Sequence, residues 1–297
     1  IKTYNLESYN IDNINPGKNL LILYNRTGEQ KYLDAIHTLV KQMEGHPKTQ
    51  SRGYWHKKIY PWQMWLDGIY MGSPFLAQYA KEFDEPHWFD TIAHQVTLIY
   101  EKTLDPETGL LYHAWDESRD QRWSNPETGQ SPHFWSRATG WYMMALVDIL
   151  DYFPEDHPRR GAIIYILQSI SEAVLNVRDP EKGSWYQVLD LGGREGNYLE
   201  GSGTAMFIYT YAKGAKKGYL DASYLEIAEE AFDDLVENFI QVDDDGMISM
   251  VSICGGCGLG GNPYRDGSYE YYITERIVKN DCKGVGPFIL TAIELDK

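Results

Sequence analysis

Residues 67–103, DGIYMGSPFLAQYAKEFDEPHWFDTIAHQVTLIYEKT, contain two helical segments joined by a short corner. Apolar residues recur at intervals of three and four on both sides of the corner, which predicts one helix near 67–82 and another near 86–103. Asp84-Glu85-Pro86 supplies the break, because proline is tolerated in the first turn of a helix but not in its interior. The stretch therefore predicts a helical hairpin.

The same pattern continues along the rest of the chain without a strand–helix–strand rhythm. Tyr32, Trp88, Arg160 and Tyr224 hold matching places after successive corners, with spacings of 56, 72 and 64 residues. Such a degenerate repeat is typical of an α/α array. Further helices are predicted near 16–26, 30–44, 134–153, 158–178, 199–216, 223–240 and 286–296, the last opening at Gly286-Pro287. The predicted fold class is all-α, a closed toroid of hairpins that forms one domain over residues 1–297.

The composition excludes several classes of protein. With 43% hydrophobic and 24% charged residues, and no apolar run near the roughly 18 residues of a membrane helix, neither disorder nor a membrane span is predicted. A net charge of −16 would repel phosphate backbones, which argues against a nucleic-acid partner. Three cysteines are too few for a disulfide framework and favour a reducing, cytoplasmic location. The 23 tyrosines and 9 tryptophans fit either a site that stacks on sugar rings or bulky helix packing.

Longer inserts between alternate helices carry short strand-like pieces at 110–115, 185–189 and 247–251. We expect these inserts to emerge at one end of the toroid. Loops held by a rigid scaffold are where binding and catalytic residues concentrate, so the chemistry is expected in the inserts and at the adjoining helix starts.

Asp67 closes the densest cluster of aromatic and charged residues, YWHKKIYPWQMWLDG at 54–68. Its place near a helix start allows two interpretations. As an N-cap, its carboxylate would accept backbone N–H bonds. Alternatively, burial against Trp62 and Trp65 would raise its pKa and leave an acid able to donate a proton near neutral pH.

A second cluster combines YHAWDES at 112–118 with FWSRATGW at 134–141. Trp135 and Arg137 are placed at the entrance of a predicted helix, and Trp141 on its inner face. A guanidinium in that place can bind a sugar carboxylate through two parallel hydrogen bonds. A structural ion pair between Arg137 and one of the many acidic residues is the alternative.

Asp12 lies in YNIDNINPG at 9–17, just ahead of a predicted helix. By itself this is a capping segment. If the fold brings Asp12 close to Asp67, the two become a candidate pair of acid and base, as in glycosidases.

Other motifs do not support metal or phosphate chemistry. CGGCGLGGNP at 254–263 has a lone C-x-x-C pair and lacks the lysine of a P-loop, so a tight loop over the site is the better interpretation. Asp243-Asp244-Asp245-Gly246 is predicted to be a hairpin turn rather than a calcium loop. No metal and no cofactor are expected, and the serines and histidines form no hydrolase elbow or metalloprotease motif.

Four ordered motifs resemble one known family: WHKKIYPWQMWLDGIYM (55–71), LYHAWDES (111–118), FWSRATGWY (134–142) and NPYRDGSYEYY (262–272). The chain is similar, over essentially its whole length, to the unsaturated rhamnogalacturonyl hydrolases of glycoside hydrolase family 105. The resemblance implies an (α/α)6 barrel and an oligosaccharide substrate that ends in a 4,5-unsaturated galacturonic acid. It also implies that the enzyme hydrates the enol-ether double bond, after which a hemiketal collapses and releases the remaining sugar.

The resemblance assigns roles by motif. Asp67 in WLDG is similar to the general acid that protonates C4 and then activates water for C5, and Asp12 in IDNIN to its carboxylate partner. His113 resembles the histidine that helps to hold water and sugar. The stacking and carboxylate-binding group is Trp135, Arg137 and Trp141, and His56 and Lys57 resemble subsite residues. Because a chain of charge −16 cannot attract an anionic sugar through its overall field, local cations such as Arg137, Lys57 and His113 are expected to bind it.

One departure concerns the start of the chain. The family barrel has twelve helices and the sequence predicts nine, so we expect the chain, which begins at Ile1 without an initiator methionine or signal peptide, to lack N-terminal helices. Otherwise the barrel would be open and would expose apolar faces of its first and last helices. The alternatives to the unsaturated rhamnogalacturonyl activity are an unsaturated glucuronyl hydrolase, an inverting glycosidase on saturated sugars and a non-catalytic sugar-binding protein. The oligomeric state is left open, with a monomer as the working expectation.

Overall fold

The computed structural model describes residues 3–297, so the expectation about the start of the chain at Ile1 and Lys2 lies outside the described residues. Helices dominate it. Their bounds are α1 Gly17–Thr27, α2 Gln30–Gly45, α3 Leu66–Glu82, α4 His87–Thr103, α5 Ser136–Leu150, α6 Arg160–Leu175, α7 Gly201–Lys216, α8 Ser223–Phe239, α9 Tyr269–Thr274 and α10 Cys282–Glu294. The nine predicted helices are all present, with ends within four residues of the prediction. The short helix α9 was not predicted.

The last helix corrects one predicted boundary. Gly286-Pro287 does not open α10, which begins at Cys282 and carries Pro287 inside it. The side chain of Asp281 caps the helix by accepting from the backbone N–H of Lys283. Pro287 is the sixth residue of α10 and has no N–H group, so the helix lacks one backbone hydrogen bond at that position.

Burial divides the helices into two layers. Nearly every residue of α3, α5 and α7 is buried, whereas α2, α4, α6 and α8 each bury one face and expose the other. The inner contacts run from α1 through α3, α5 and α7 to α10. Gly140 lets α5 approach α7 closely, because a Cβ there would lie 2.8 Å from Cβ of Met206. The arrangement is that of helical hairpins placed around a central axis.

The three long inserts meet the N-terminal ends of the inner helices, as predicted. The backbone N–H of Leu66 in α3 donates to the carbonyl of His113, that of Ser136 in α5 to Gln187, and that of Gly201 in α7 to Ser252. Each bond satisfies a helix-terminal N–H group that has no partner within its own helix. The bonds also fix the inserts against the ends of the inner helices, where the functional residues lie.

The strand predictions are partly correct. β1 (Gln63–Trp65) pairs antiparallel with β2 (Ala114–Asp116), and β3 (Ile240–Val242) with β4 (Ile248–Met250), so the acidic run 243–246 is the predicted hairpin turn. A third pair joins β5 (Ile253–Cys254) to β6 (Ile277–Val278). The stretch 185–189 is not a strand and makes only isolated bridges.

Five exposed apolar side chains lie on the two helices at the ends of the inner series. They are Ile22 and Leu23 on α1 and Ile289, Leu290 and Ile293 on α10. Within residues 3–297, no helix has both the length and the apolar character that crossing a membrane requires.

Candidate active site

A cleft of about 460 Å³ opens where the inserts meet the inner helices. Seven of the eight predicted site residues line it, and the eighth, His113, contacts Asp67 from behind the cleft wall. The lining residues are Asp12, Asn15, His56, Lys57, Tyr60, Trp65, Asp67, Met71, Trp135, Arg137, Trp141, Gly256, Cys257, Arg265, Cys282 and Lys283. Among the predicted site residues, the fold thus brings together positions as far apart in the sequence as Asp12 and Trp141, which are separated by 129 positions.

Asp67 is the second residue of α3 and is not its N-cap. Trp65 holds the N-cap position, and its side chain makes no capping hydrogen bond. The pairing of β1 with β2 places Trp65 opposite Ala114, so the insert that carries His113 lies directly beside the start of α3. The capping interpretation of Asp67 is therefore wrong, and its carboxylate, 15% exposed, faces the cleft.

Asp67 contacts a histidine that a tyrosine holds in place. Nε2 of the fully buried His113 lies 3.2 Å from Oδ2 of Asp67, aligned too poorly for a good hydrogen bond. Nδ1 of His113 lies 2.8 Å from the hydroxyl of Tyr272. Burial raises the pKa of Tyr272 well above its usual value, so its hydroxyl keeps its proton and can either donate to Nδ1 or accept from it. This hydrogen bond fixes the orientation of the His113 ring, with Nε2 on the side of Asp67.

The pKa of Asp67 is lowered, contrary to the expected rise. Burial alone raises it, but the contact with His113 and the electrostatic effects of the His113 and His56 rings lower it by more. Trp62, one of the two residues expected to bury this carboxyl, packs against Trp55 instead and does not line the cleft. Asp67 is consequently a carboxylate at neutral pH.

Asp12 forms a second charged group across the cleft. Its Oδ2 lies 2.7 Å from Nζ of Lys57 and its Oδ1 lies 3.4 Å from Nε2 of His56. Its backbone N–H donates to Asn10, which caps the turn, so Asp12 does not cap the helix that follows. The positive charge of Lys57 is thus paired with the carboxylate of Asp12, so Lys57 is not an unpaired cation for the substrate.

His56 is neutral and held by an aromatic ring. Burial lowers its pKa, although the neighbouring carboxylates of Asp12 and Asp67 partly oppose this effect. Its ring stacks on Trp65 with centroids 4.4 Å apart and planes 9° apart. A neutral histidine between two carboxylates can accept or donate a proton and can position a water molecule.

Arg137 is fully buried in the cleft wall, and most of its guanidinium nitrogens make no hydrogen bond within residues 3–297. Nη2 donates to the carbonyl of Cys254, whereas Nε and Nη1 are buried without a hydrogen-bond partner. Within residues 3–297, no carboxylate oxygen lies within 4.0 Å of this guanidinium, so the alternative of a structural ion pair is wrong. Buried polar groups without partners are rare in folded proteins, and here two of them belong to a cation that lines the cleft.

The two tryptophans of the same motif are fixed by their own contacts. Trp135 Nε1 donates to Oε1 of Gln187 at 3.0 Å. Trp141 stacks on Tyr70 with ring centroids 4.5 Å apart. Both rings are buried at the cleft wall, where rigid aromatic surface can bind the apolar faces of a sugar ring.

Comparison with known proteins identifies the family. The model of Glycosyl Hydrolase Family 88 matches residues 1–297. The chain belongs to glycosyl hydrolase family 88. This family 88 chain is 37% identical over 232 residues to a 24.9 kDa protein encoded in the picA locus of Rhizobium radiobacter, an alignment that covers 75% of this chain and 97% of that protein.

Solved structures agree with this assignment. A family 105 glycoside hydrolase from C. acetobutylicum is 50% identical, with a TM-score of 0.97 over 100% of this chain and 82% of that one. A possible family 105 member from Klebsiella pneumoniae is 25% identical, with a TM-score of 0.80 over 95% of this chain and 69% of that one. The expected resemblance to family 105 and the (α/α)6-barrel class are confirmed, and the family 88 chain is a glycoside hydrolase.

Several cleft residues of this family 88 hydrolase had no role in the sequence analysis. Tyr272, which orients His113, lies in the NPYRDGSYEYY motif, but only the fold shows that it reaches a histidine 159 residues away. Arg265, in the same motif, donates to the hydroxyl of Tyr60 at 2.9 Å. Lys283 also lines the cleft, and no local pattern marked it.

Proposed function

We propose that the enzyme removes a 4,5-unsaturated galacturonic acid from the non-reducing end of unsaturated rhamnogalacturonan oligosaccharides by hydrating the enol-ether double bond. Residues 1–297 act as one hydrolase domain. The observation that carries the proposal is the buried guanidinium of Arg137, which has two unpartnered nitrogens, in the same cleft as the carboxylate of Asp67. Buried N–H groups that have no acceptor within residues 3–297 are costly, and the carboxylate of a bound uronic acid would supply acceptors for both nitrogens.

The names of two relatives support this substrate class. An unsaturated rhamnogalacturonyl hydrolase of Bacillus subtilis is 25% identical over 253 residues, which covers 83% of this chain and 68% of that protein. An unsaturated 3S-rhamnoglycuronyl hydrolase of Formosa agariphila is 28% identical over 207 residues, which covers 67% of this chain and 51% of that protein. Both names specify an unsaturated sugar and differ in the group released.

Substrate binding would change the protonation state of Asp67. A uronate held by Arg137 brings a negative charge into the cleft and displaces water, and both effects raise the pKa of a nearby carboxyl. The lowered pKa makes Asp67 a carboxylate before the sugar binds, so it takes up a proton as the anionic sugar binds. The contact with His113 then positions its carboxyl group toward the ring.

The hydration step follows from this geometry. Asp67 donates its proton to C4 of the double bond, and the positive charge that develops at C5 is shared with the ring oxygen. Water adds to C5 while Asp67, now a carboxylate, accepts its proton. The ring of the resulting hemiketal opens, and the hemiacetal at C1 collapses to release the remaining sugar. Asp12, held by Lys57 and beside the neutral His56, binds the sugar and the attacking water on the other side of the cleft.

The decisive experiment follows the ultraviolet absorbance of the conjugated double bond with an unsaturated rhamnogalacturonan disaccharide. The wild type should remove the absorbance, and Asp67→Asn should lower kcat by about 10²- to 10⁴-fold, because general acid–base groups contribute that much. Asp90→Asn is the matched control, since Asp90 lies outside the cleft and is 74% exposed. An unchanged kcat in Asp67→Asn would refute the assignment of that residue.

The rival activities are separated by the same assay. Release of sugar from saturated oligogalacturonides at a similar rate would refute enol-ether hydration and would favour an inverting glycosidase. Faster decay of the ultraviolet absorbance with an unsaturated glucuronyl substrate would show that the enzyme prefers that sugar. Binding without decay would identify a non-catalytic protein.

The location and oligomeric state are further parts of the proposal. All three cysteines are unpaired, as expected in a reducing compartment, and on that basis we assign the enzyme to the cytoplasm as a monomer that needs no cofactor. Fractionation of cells and size-exclusion chromatography test the two statements.

A further inference from the structure

Two cysteines face each other at the edge of the cleft. In the loop Cys254-Gly255-Gly256-Cys257 the two Sγ atoms lie 3.4 Å apart and are not bonded. Cys254 is fully buried, whereas Cys257 is partly exposed and lines the cleft. No other histidine, cysteine or carboxylate within residues 3–297 joins them in a group that could hold a metal.

We propose that Cys254 and Cys257 form a peroxide-sensitive dithiol, whose conversion to a disulfide weakens binding of the anionic sugar. A disulfide has an S–S length of about 2.05 Å, so the sulfur atoms must move closer by about 1.3 Å. The two glycines between the cysteines allow this, because glycine has the widest range of backbone conformations. The disulfide itself does not depend on the proposed function, and only its effect on turnover does.

The environment of the pair favours a thiolate. A hydrogen bond from Cys257 lowers the pKa of Cys254 to about 7, with help from the positive charge of Arg137, although burial acts in the opposite direction. Burial and the neighbouring sulfur raise the pKa of Cys257, so the pair loses one proton and shares the other. Thiolates, not thiols, react with peroxides.

The reaction is balanced with hydrogen peroxide as the oxidant. Cys257 lines the cleft and its Sγ lies 3.4 Å from that of Cys254, so peroxide that enters the cleft comes within reach of the pair. A thiolate of the pair attacks one peroxide oxygen, the O–O bond breaks, and hydroxide leaves and takes up a proton to become water. The second thiol attacks the sulfenic sulfur, and a second water leaves. Two thiols have then lost two electrons and two protons to one peroxide.

The dithiol loop is connected to the predicted carboxylate site at two points. The carbonyl of Cys254 accepts from Nη2 of Arg137, and its backbone N–H donates to Glu200 at 2.9 Å. Nε2 of Gln187 lies 3.6 Å from Sγ of Cys257, and Oε1 of Gln187 accepts from Trp135. A movement of the loop by about 1 Å therefore displaces the guanidinium and the tryptophan that are expected to hold the uronate.

This connection predicts which kinetic parameter changes. Arg137 is proposed to bind the substrate carboxylate and Asp67 to transfer the proton. Within residues 3–297 the loop has a hydrogen bond to Arg137 but none to Asp67. Oxidation should therefore raise KM by about tenfold, which corresponds to about 1.4 kcal/mol of lost binding, with a smaller change in kcat.

The test uses the Cys282→Ser variant, which retains only the two cysteines of the pair. The protein is treated with hydrogen peroxide, quenched with catalase, alkylated with N-ethylmaleimide and weighed by mass spectrometry. We expect a loss of two hydrogen masses without alkylation, a raised KM, and recovery of both on addition of dithiothreitol. The double variant Cys257→Ser, Cys282→Ser should show neither change, and its melting temperature confirms that it folds.

Three outcomes would overturn the proposal. Alkylation of both thiols after peroxide treatment would show that no disulfide forms, and a crosslinked dimer on a non-reducing gel would show that the thiols pair between chains. A disulfide with unchanged KM would refute the link to Arg137. The mass measurement needs no turnover, so a failure of the proposed function leaves it interpretable.

Discussion

Replacement of Arg137 by methionine tests the central claim, because its guanidinium is buried with two unpartnered nitrogens. Each hydrogen bond between charged groups contributes about 1.5–3 kcal/mol, so loss of a bidentate contact to a uronate should cost about 3 kcal/mol or more. This corresponds to a decrease in kcat/KM of at least about 100-fold. Arg137→Lys keeps the charge but not the planar pair of donors. Its kcat/KM should lie between those of the wild type and Arg137→Met.

The assay compares two substrates in each variant. The unsaturated disaccharide and its uronate methyl ester are measured with the wild type and with Arg137→Met, by decay of the ultraviolet absorbance. The wild type should strongly prefer the free carboxylate, whereas Arg137→Met should lose most of that preference. If Arg137→Met slowed both substrates by the same factor, the guanidinium would not bind the carboxylate and the reasoning would be refuted.

Stability provides a second, opposite signature for the same variant. The guanidinium has one hydrogen bond, to the carbonyl of Cys254; burial disfavours its charge, and the nearby Glu200 favours it, so that the pKa of Arg137 is raised. Methionine removes the desolvation cost of the charge but leaves that carbonyl without its partner. These terms offset one another, so we expect the free energy of unfolding to change by less than about 1 kcal/mol. A loss of several kcal/mol would indicate a structural role.

Three further predictions concern pH and packing. His113→Phe removes the contact that lowers the pKa of Asp67, so burial then raises that pKa, and the descending limb of kcat/KM against pH should move to higher pH. Burial lowers the pKa of His46 to about 4, below its unfolded value of about 6.5, so the unfolded chain binds the extra proton. Stability contributed by the neutral histidine, about 3 kcal/mol, is therefore lost as pH falls from about 6.5 to 4, and His46→Gln should flatten urea midpoints over that range. Gly140→Ala should destabilise the fold by about 1–3 kcal/mol, because the added Cβ would collide with α7. Gly161→Ala should stabilise the fold by about 0.5–1 kcal/mol, because no atom lies within 4 Å of the added Cβ. Thermal melts of both variants measure the two effects.

Much of the fold was predictable because an amphipathic helix requires apolar residues at regular spacings that are close together in the sequence. The spacing of apolar residues in 67–103 predicted α3 and α4 with ends within a residue of the structure. The prediction failed where a local rule had two solutions: Pro287 was taken to open a helix, but it is tolerated in the second turn of one. The six-residue α9 is too short to show a period.

The membership of the cleft was predictable, but the relations within it were not. The motifs pointed to Asp12, Asp67 and Arg137, and the fold brings all three to one cleft. Their partners are distant in sequence: Tyr272 orients His113 from 159 positions away, and Arg137 reaches Cys254 across 117. Local spacing contains no information about such pairs.

The sequence by itself determined the helical repeat, the order of the motifs and the family, because each depends on residue types at fixed local spacings. Only the tertiary structure decided which charges are used. It paired Lys57 with Asp12 and left two nitrogens of Arg137, among residues 3–297, without a hydrogen-bond acceptor. It also lowered the pKa of Asp67 beside His113 and placed two Sγ atoms 3.4 Å apart. The physical reason is that pKa, pairing and desolvation depend on atoms within a few ångströms, and in this barrel those atoms come from different inserts.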